Sequence, residues 1–321
     1  MRLATYAHDG AARAAVVVGD DLHPLPTGVA VAQLIEQGSL LEAARTAQRG
    51  PAVPLGSVRL LPPLVPPSIR DFATFEEHVE GIALRFGDQI TPDWHEAPAF
   101  YFTNPHALIG AYDEVPVPPG CQAFDFELEV AAVVGRAGRD LTPEQAREHI
   151  VGYAIFNDWS ARDLQAREMR VGLGPAKAKD GASTLGPWLV TADELDDYRD
   201  ADGFLQMAMT VARNGEKVGG DTLANMAWTF EEMVAYASRG AWVRPGDVLA
   251  SGTCGSGCLA ELWGRRGIRD PLPLTPGDVV TMTVEHLGTI SNTVVSGTTP
   301  WPLPRARAKP GTGRARGAAA G

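Results

Sequence analysis

Asn157-Asp158-Trp159-Ser160-Ala161-Arg162-Asp163 joins two elements of different kind. Before it, Val151 to Asn157 is apolar enough for a buried strand; after it, Ser160 to Glu168 suggests a helix. An Asp emerging from a buried strand is a natural ligand for a hard cation, and equally a natural N-cap for the helix that follows. Both readings stand on this run alone. Upstream, Asp125 to Val134 reads as a strand of β-branched and acidic residues that contains Glu127-Leu128-Glu129. Residues i and i+2 of a strand share a face, so the two carboxylates project together. Like charges side by side are costly unless a positive group sits between them. Mg²⁺ or Ca²⁺, which prefer oxygen ligands, would serve. The plain alternative is an edge strand with one solvated acidic face.

Four further features carry potential chemistry. Arg70-Asp71-Phe72 opens the larger part of the chain, and His78 follows Asp71 by seven residues. Lys177 and Lys179 sit in Gly174-Pro175-Ala176-Lys177-Ala178-Lys179-Asp180, where a lysine could hold a substrate carboxylate or be an ordinary solvated loop residue. Glu261 follows the glycine-rich Ser251 to Gly257, which suits a loop whose backbone amides approach a ligand. That loop is not a phosphate loop, because no Lys-Ser or Lys-Thr pair follows at the required spacing.

Farther out, Leu3 to Tyr6 and Ala14 to Val18 flank a turn at Asp9-Gly10, a hairpin signal. Val31 to Gln48 carries Leu34, Ile35, Leu41 and Ala44 at helical spacing and reads as one amphipathic helix. Pro51 to Pro67 holds six prolines, a density that breaks helices and sheet interiors, and reads as a linker. The chain therefore divides into a small N-terminal β domain with its helix and proline-rich linker (1–62), a main domain (63–304), and a tail (305–321) with no periodicity. The main domain reads as mostly β with inserted helices, an α+β fold. Thr142-Pro143-Glu144-Gln145 is a helix start, Thr229 to Ser238 a helix, and Asn214-Gly215 a two-residue hairpin turn. Arg244-Pro245-Gly246-Asp247-Val248 and Thr275-Pro276-Gly277-Asp278-Val279 echo each other as tight turns feeding strands.

A net charge of -11 argues against a nucleic-acid-binding face. It does not argue against an anionic substrate, since a metal and a few buried cations can dominate a pocket. Three cysteines (Cys121, Cys254, Cys258) are too few for a disulfide framework and fit a reducing cytosol; no His or Cys partners lie at zinc spacing. The N-terminus lacks a signal-like segment and no apolar run approaches the ~20 residues of a membrane span. The expectation is a cytoplasmic protein without membrane or nucleic-acid partners.

In order along the chain, these pieces resemble one known family. They are Asp71-Phe72 with His78, Phe126-Glu127-Leu128-Glu129-Val130, Asn157 through Gln165, Lys179, and Ser251-Gly252-Thr253 with Glu261. Their order and spacing resemble the fumarylacetoacetate hydrolase (FAH) family over roughly residues 68–298, and Pro276 to Val294 is similar to the end of its catalytic domain. The resemblance implies an FAH-type β-roll catalytic domain behind a small N-terminal β domain, as a homodimer. It implies Mg²⁺, Mn²⁺ or Ca²⁺ held by Asp71, Glu127, Glu129 and Asp158, although some branches use only the later three carboxylates. Lys179 matches a lysine near the metal, and Ser183 falls about where a metal-site threonine is found. His78 and Glu261 match a His–Glu dyad. Arg85, Tyr101 and Gln165 fall near substrate-binding positions, with Thr253 as a hydroxyl donor.

The implied substrate is a small 2-oxo or 1,3-dioxo acid, and the leading expectation is hydrolysis of a carbon–carbon bond in an acylpyruvate-like molecule. His78 would be the general base, oriented by Glu261. Lys179 and Thr253 would hold developing negative charge. The alternative within the family is a 2-oxo acid decarboxylase or a 2-hydroxy-dienedioate isomerase. Two departures bear on this. Ala73 and Met169 stand where the best-known hydrolase has tyrosines, so the pocket differs. The glutamate that the decarboxylases often carry three residues after the histidine is here Gly81, with Glu77 and Glu80 nearby as possible substitutes.

Overall fold

A computed structural model describes residues 1–48 and 50–307. The strands carry the architecture, and the helices are inserted between them, as expected. The longer elements are β1 (Arg2–His8), β2 (Ala11–Val18), β3 (Asp21–Pro24), α1 (Val31–Glu36), α2 (Leu40–Ala47), β4 (Ile69–Phe72), α3 (Glu76–Phe86) and β5 (Phe100–Thr103). Then come β6 (Leu128–Val134), α4 (Pro143–Arg147), β7 (Ile150–Asp158), α5 (Arg162–Val171), β8 (Ser183–Thr191), β9 (Ala208–Arg213) and β10 (Glu216–Thr222). The chain ends with α6 (Phe230–Ser238), β11 (Val248–Ala250), α7 (Leu259–Arg266), β12 (Val279–Val284) and β13 (Gly288–Val295).

The large sheet runs β3-β2-β1-β8-β7-β6-β11-β4-β5, with Val53–Pro54 added beyond β3. β1 joins it at Arg2↔Val190 and Leu3↔Leu189, so the N-terminal strands extend the same sheet. β6 is buried along its whole length, with Leu128, Val130, Ala132 and Val134 in one core and Ala131 and Val133 in another. Burial on both faces explains why the strand is almost continuously apolar. Each buried Val or Leu side chain contributes roughly 1.5–3 kcal/mol. β11 lies between β6 and β4, antiparallel to the first and parallel to the second. A second sheet, β10-β9-β12-β13, closes with Val115–Pro116. No sheet closes into a barrel among the described residues. No helix there is long and apolar enough to cross a membrane.

Several local expectations hold in detail. Thr142 and Thr229 each form a capping box, with Gln145 and Glu232. Asn214-Gly215 makes the turn between β9 and β10. The two echoing turns share a device: Asp247 accepts from the Arg244 amide at 2.9 Å and Asp278 from the Thr275 amide at 2.7 Å.

Others are corrected. Val31 to Gln48 is two short helices, because Gly38 takes a left-handed φ of 66° and ends the first after Glu36. The proline-rich stretch is more than a linker, since Leu60–Leu61 pairs with β1. The acidic strand is interrupted: Phe124–Asp125 pairs with Ser160–Ala161, and β6 begins only at Leu128. Asp158 does not cap α5, whose N-cap is Ala161. The tail reading for 305–321 falls, from residue 308 on, outside the described residues.

Candidate active site

The sheet order brings distant carboxylates together. β4 delivers Asp71, the start of β6 delivers Glu127 and Glu129, and the end of β7 delivers Asp158. All four are buried, with exposures of 1%, 5%, 1% and 0%. Oxygens of Asp71, Glu127 and Glu129 all lie within 4.8 Å of one another. Asp158 stands beside them, bound by other groups. Lys179 Nζ donates to Glu127 Oε2 and lies 2.6 Å from Asp158 Oδ2. Tyr101 Oη donates to Asp71 Oδ2 at 2.8 Å and also touches Asp158 Oδ2. A single phenolic proton serves only one of these at a time.

Electrostatics follow from this crowding. Burial, then Asp158, pushes the Asp71 carboxyl well above the usual carboxylate range. Burial, then Asp71 and Glu127, does the same to Glu129, and burial raises Asp158 despite Lys179. Burial alone would raise Glu127, but Arg162 and then Lys179 bring it down to about 2. Lys179 is raised, its burial penalty overcome by Asp158 and Glu127.

The donor set fits a hard divalent cation on the structure's own terms. Four enclosed carboxylates face two buried cations, and Arg162 is shared with Asp125. Asp71 Oδ1 is buried with no hydrogen-bond partner. A buried, unsatisfied carboxylate oxygen within a cluster of enclosed carboxylates is what an oxygen-preferring ion relieves.

His78 on α3 and Glu261 on α7 come from opposite ends of the main domain and meet at 3.3 Å, Nδ1 to Oε2. Glu261 is fully buried, and its Oε2 also accepts from the Ser256 amide at 2.8 Å. α7 is fixed by Asp125, whose carboxylate accepts from the Leu259 and Ala260 amides at 2.9 Å each. A carboxylate at a helix N-terminus is favourably placed. The helices can approach because α3 has Gly81 and α7 has Gly264 at the crossing: a Cβ on Gly81 would lie 2.3 Å from Glu261 Cγ.

A cavity of about 370 Å³ opens over these groups, a size suited to a small ligand. Its polar end holds Asp71, Glu127, Glu129, Lys179 and Tyr101, and His78 lies on its wall. Arg85, Gln165 and Thr253 line it too, so the expected site residues face the cavity except Asp158, Glu261 and Ser183; Asp158 and Glu261 contact residues that do, and Ser183 contacts Asp158. Thr253 and the Gly252 amide hold Glu129, at 3.5 and 3.1 Å. Arg85 also stacks on Trp263 at 5.2 Å. Ser183 reaches Asp158 Oδ1 at 3.5 Å. Ala73 and Met169 form part of the apolar end, with Ile82 and Pro175. Glu77 and Glu80 are held by Arg265 at the surface.

Sequence reasoning missed Arg162. It is 4% exposed, donates to Asp125 at 2.8 Å and to Gln165 at 3.1 Å, and its NH2 sits 2.7 Å from Glu127 Oε1 as an ion pair out of line for a hydrogen bond. The signal was present: an arginine in the first turn of a helix that leaves a buried strand.

With a carboxylate cluster that could hold a cation, a His–Glu pair and a small cavity between them, the fold and site have the make-up of an enzyme centre built on a β scaffold. The chain belongs to the fumarylacetoacetate hydrolase family: the family profile described as Fumarylacetoacetate (FAA) hydrolase C-terminal matches residues 68–295. It is 31% identical over 271 residues to a human mitochondrial oxaloacetate tautomerase, covering 82% of this chain and 79% of that one. Among solved structures it is similar to fumarylacetoacetate hydrolase from psychrophilic Exiguobacterium antarcticum, with a TM-score of 0.73, 26% identity, and coverage of 92% and 99%. Maleylpyruvate hydrolase from Sphingobium sp. SYK-6, in complex with manganese(II) ion and pyruvate, shares the fold at a TM-score of 0.71 and 24% identity, over 93% of this chain and 100% of that one. The protein is an enzyme, of a family that includes hydrolases, isomerases and oxaloacetate tautomerases.

Proposed function

We propose that this enzyme hydrolyses a carbon–carbon bond in a small acylpyruvate-like or 1,3-dioxo acid and uses Mg²⁺ or Mn²⁺. The observation that carries the reading is the His78–Glu261 pair, assembled on the wall of the cavity that the carboxylates floor. Asp71, Glu127 and Glu129 would hold the ion, with Asp158 beside them. When bound, it supplies Lewis-acid polarisation of the substrate's oxo oxygens.

The chain's own residues supply the rest. With His78 Nδ1 donating to Glu261, Nε2 carries the lone pair and takes a proton from water as the water attacks the carbonyl. Glu261 then offsets the charge of the imidazolium. Lys179 has three donors and uses two on Glu127 and Asp158, which leaves one for an oxygen in the cavity. Arg162 and Arg85 line the same cavity and add positive charge toward a substrate carboxylate. The proton on the imidazolium returns to the departing enolate carbon. Decarboxylation by a glutamate three residues after the histidine has no room here, because any side chain at Gly81 collides with Glu261.

A second reading, enol–keto tautomerisation of an oxo acid such as oxaloacetate, is favoured by the 31% identity to oxaloacetate tautomerase. It would use the same base without an attacking water. Mass analysis of products separates the two. Fragments that have gained water support hydrolysis, whereas a changed spectrum at unchanged mass on oxaloacetate, with no cleavage of any acylpyruvate, overturns it. His78→Ala should abolish hydrolysis.

A further inference from the structure

Glu261 is fully enclosed, and its two oxygens are held differently. Oε2 faces His78 and the Ser256 amide. Oε1 accepts from Arg265 Nε at 3.0 Å, one helical turn along α7. The same guanidinium crosses to α3: NH2 donates to the Glu77 carbonyl at 2.7 Å and NH1 to Glu80 Oε2 at 3.3 Å. Glu77 immediately precedes His78 in sequence. One planar fork therefore grips the dyad's carboxylate with one nitrogen and the backbone beside the dyad's histidine with another.

We propose that Arg265 is a positioning residue for the His78–Glu261 dyad, an inference that rests on the base role given to His78 above. Its part is geometric and electrostatic. It fixes the Glu261 carboxylate at Oε1 so that Oε2 is aimed at the imidazole, and it sets how far α3 stands from α7. A guanidinium suits this because its donors diverge in a rigid plane, which an ammonium cannot reproduce. Without it, Oε1 of an enclosed carboxylate loses the guanidinium that donates to it, and the helix carrying the base loses one of its ties to α7, beside the glycine crossing, the His78–Glu261 bond and the Arg85–Trp263 contact. Arg265 has no contact with the cavity, so a substrate-binding role is not offered.

The test is steady-state kinetics on the full-length Mn²⁺-loaded enzyme with the acylpyruvate it turns over fastest. The variants are Arg265→Ala, Arg265→Lys, Glu261→Gln and the Glu261→Gln/Arg265→Ala pair. Arg265→Ala should lower kcat roughly 10- to 100-fold, as loss of an outer hydrogen-bond partner typically does, with KM changed by less than about two-fold. The Arg265 side chain is 30% exposed, so millimolar guanidinium chloride can enter the space left and should restore part of that kcat, while sodium chloride at equal ionic strength should not. Arg265→Lys keeps the charge, guards against a folding failure in the alanine variant, and should fall between the two. In the Glu261→Gln background, Arg265→Ala should cost no more than about two-fold, since the residue it acts through is already gone. An arginine that merely braces two helices would lower the melting point, resist guanidinium rescue and slow both backgrounds equally; that result overturns the proposal. Wild-type kcat in both Arg265 variants, with Glu261→Gln slow, overturns it alone. Wild-type kcat in Glu261→Gln overturns the dyad reading and the proposal together.

Discussion

Gly81→Ala separates folding from function at the helix crossing. The added Cβ would lie 2.3 Å from Glu261 Cγ and 3.3 Å from Arg265 Nε. Carbon atoms in ordinary contact stand about 3.5–4.0 Å apart, so Glu261 or the whole of α3 must give way by roughly 1 Å or more. Two terms oppose each other in stability. Alanine in a helix interior is favoured over glycine by about 1 kcal/mol, and overpacking of this kind costs about 1–3 kcal/mol. The net loss should be no more than about 2 kcal/mol, a fall of a few degrees in melting temperature for a chain of this size. Activity is more exposed, because the atoms displaced belong to the dyad and a misplacement of about 1 Å can cost about 100-fold. The assay pairs thermal melting by circular dichroism with kcat of the Mn²⁺-loaded enzyme. A kcat within about two-fold of wild type would show that α3 and α7 have slack at their crossing. It would refute the claim that the glycine is there to bring His78 and Glu261 together.

Lys179→Met should destabilise the protein by about 3–5 kcal/mol, because it leaves Glu127 and Asp158 without the buried cation between them; chemical denaturation reads this directly, and turnover should be lost. Mn²⁺ or Mg²⁺ should raise the melting temperature, by the equivalent of about 2.7 kcal/mol at a hundred-fold excess over Kd, and a chelator should reverse it; Asp71→Asn should blunt the rise. The metal-free protein should lose stability as pH rises. Asp71 and Glu129 hold their protons more tightly folded than unfolded, so their contribution is full below the ordinary values of 3.8 and 4.5 and is lost as pH climbs through the raised folded values. Glu127 runs the other way, contributing above 4.5 and failing only as pH falls toward about 2. Melting temperature without metal should therefore decline from about pH 5 upward, and saturating Mn²⁺ should flatten the decline; a flat metal-free profile would contradict the crowding of these carboxylates.

Much of the site could be read from the chain because its parts sit at element boundaries with strong local signals. Glu127 and Glu129 stand out as charges beside a strand otherwise buried on both faces, and Asp158 as a charge at the end of another. The capping boxes at Thr142 and Thr229 and the Asn214-Gly215 turn are local hydrogen-bond patterns, so no tertiary information is needed to find them. What escaped depends on contacts between distant segments. Arg162 takes its meaning only from the approach of Asp125 and Glu127, which encloses it. Arg265 gains meaning only when α7 lies on α3. The break at Gly38 lost to the apolar periodicity around it, since leucines and alanines on both sides keep helical spacing across a left-handed residue.

β11 has a consequence for the order of events in the cell. It sits between β6 and β4, so Asp71 is brought beside Glu127 and Glu129 only when Val248–Ala250 has taken its place in the sheet. A ribosome that has made all four carboxylates and Lys179 has therefore not yet made the strand that spaces them. Until then Glu127, Glu129 and Asp158 can share the paired strands β6 and β7, but Asp71 stands apart from them. If the cluster holds an ion as proposed, the complete ligand set would exist only once that late strand is in place, and a chain that stalls before residue 248 would lack the Asp71 side of the site.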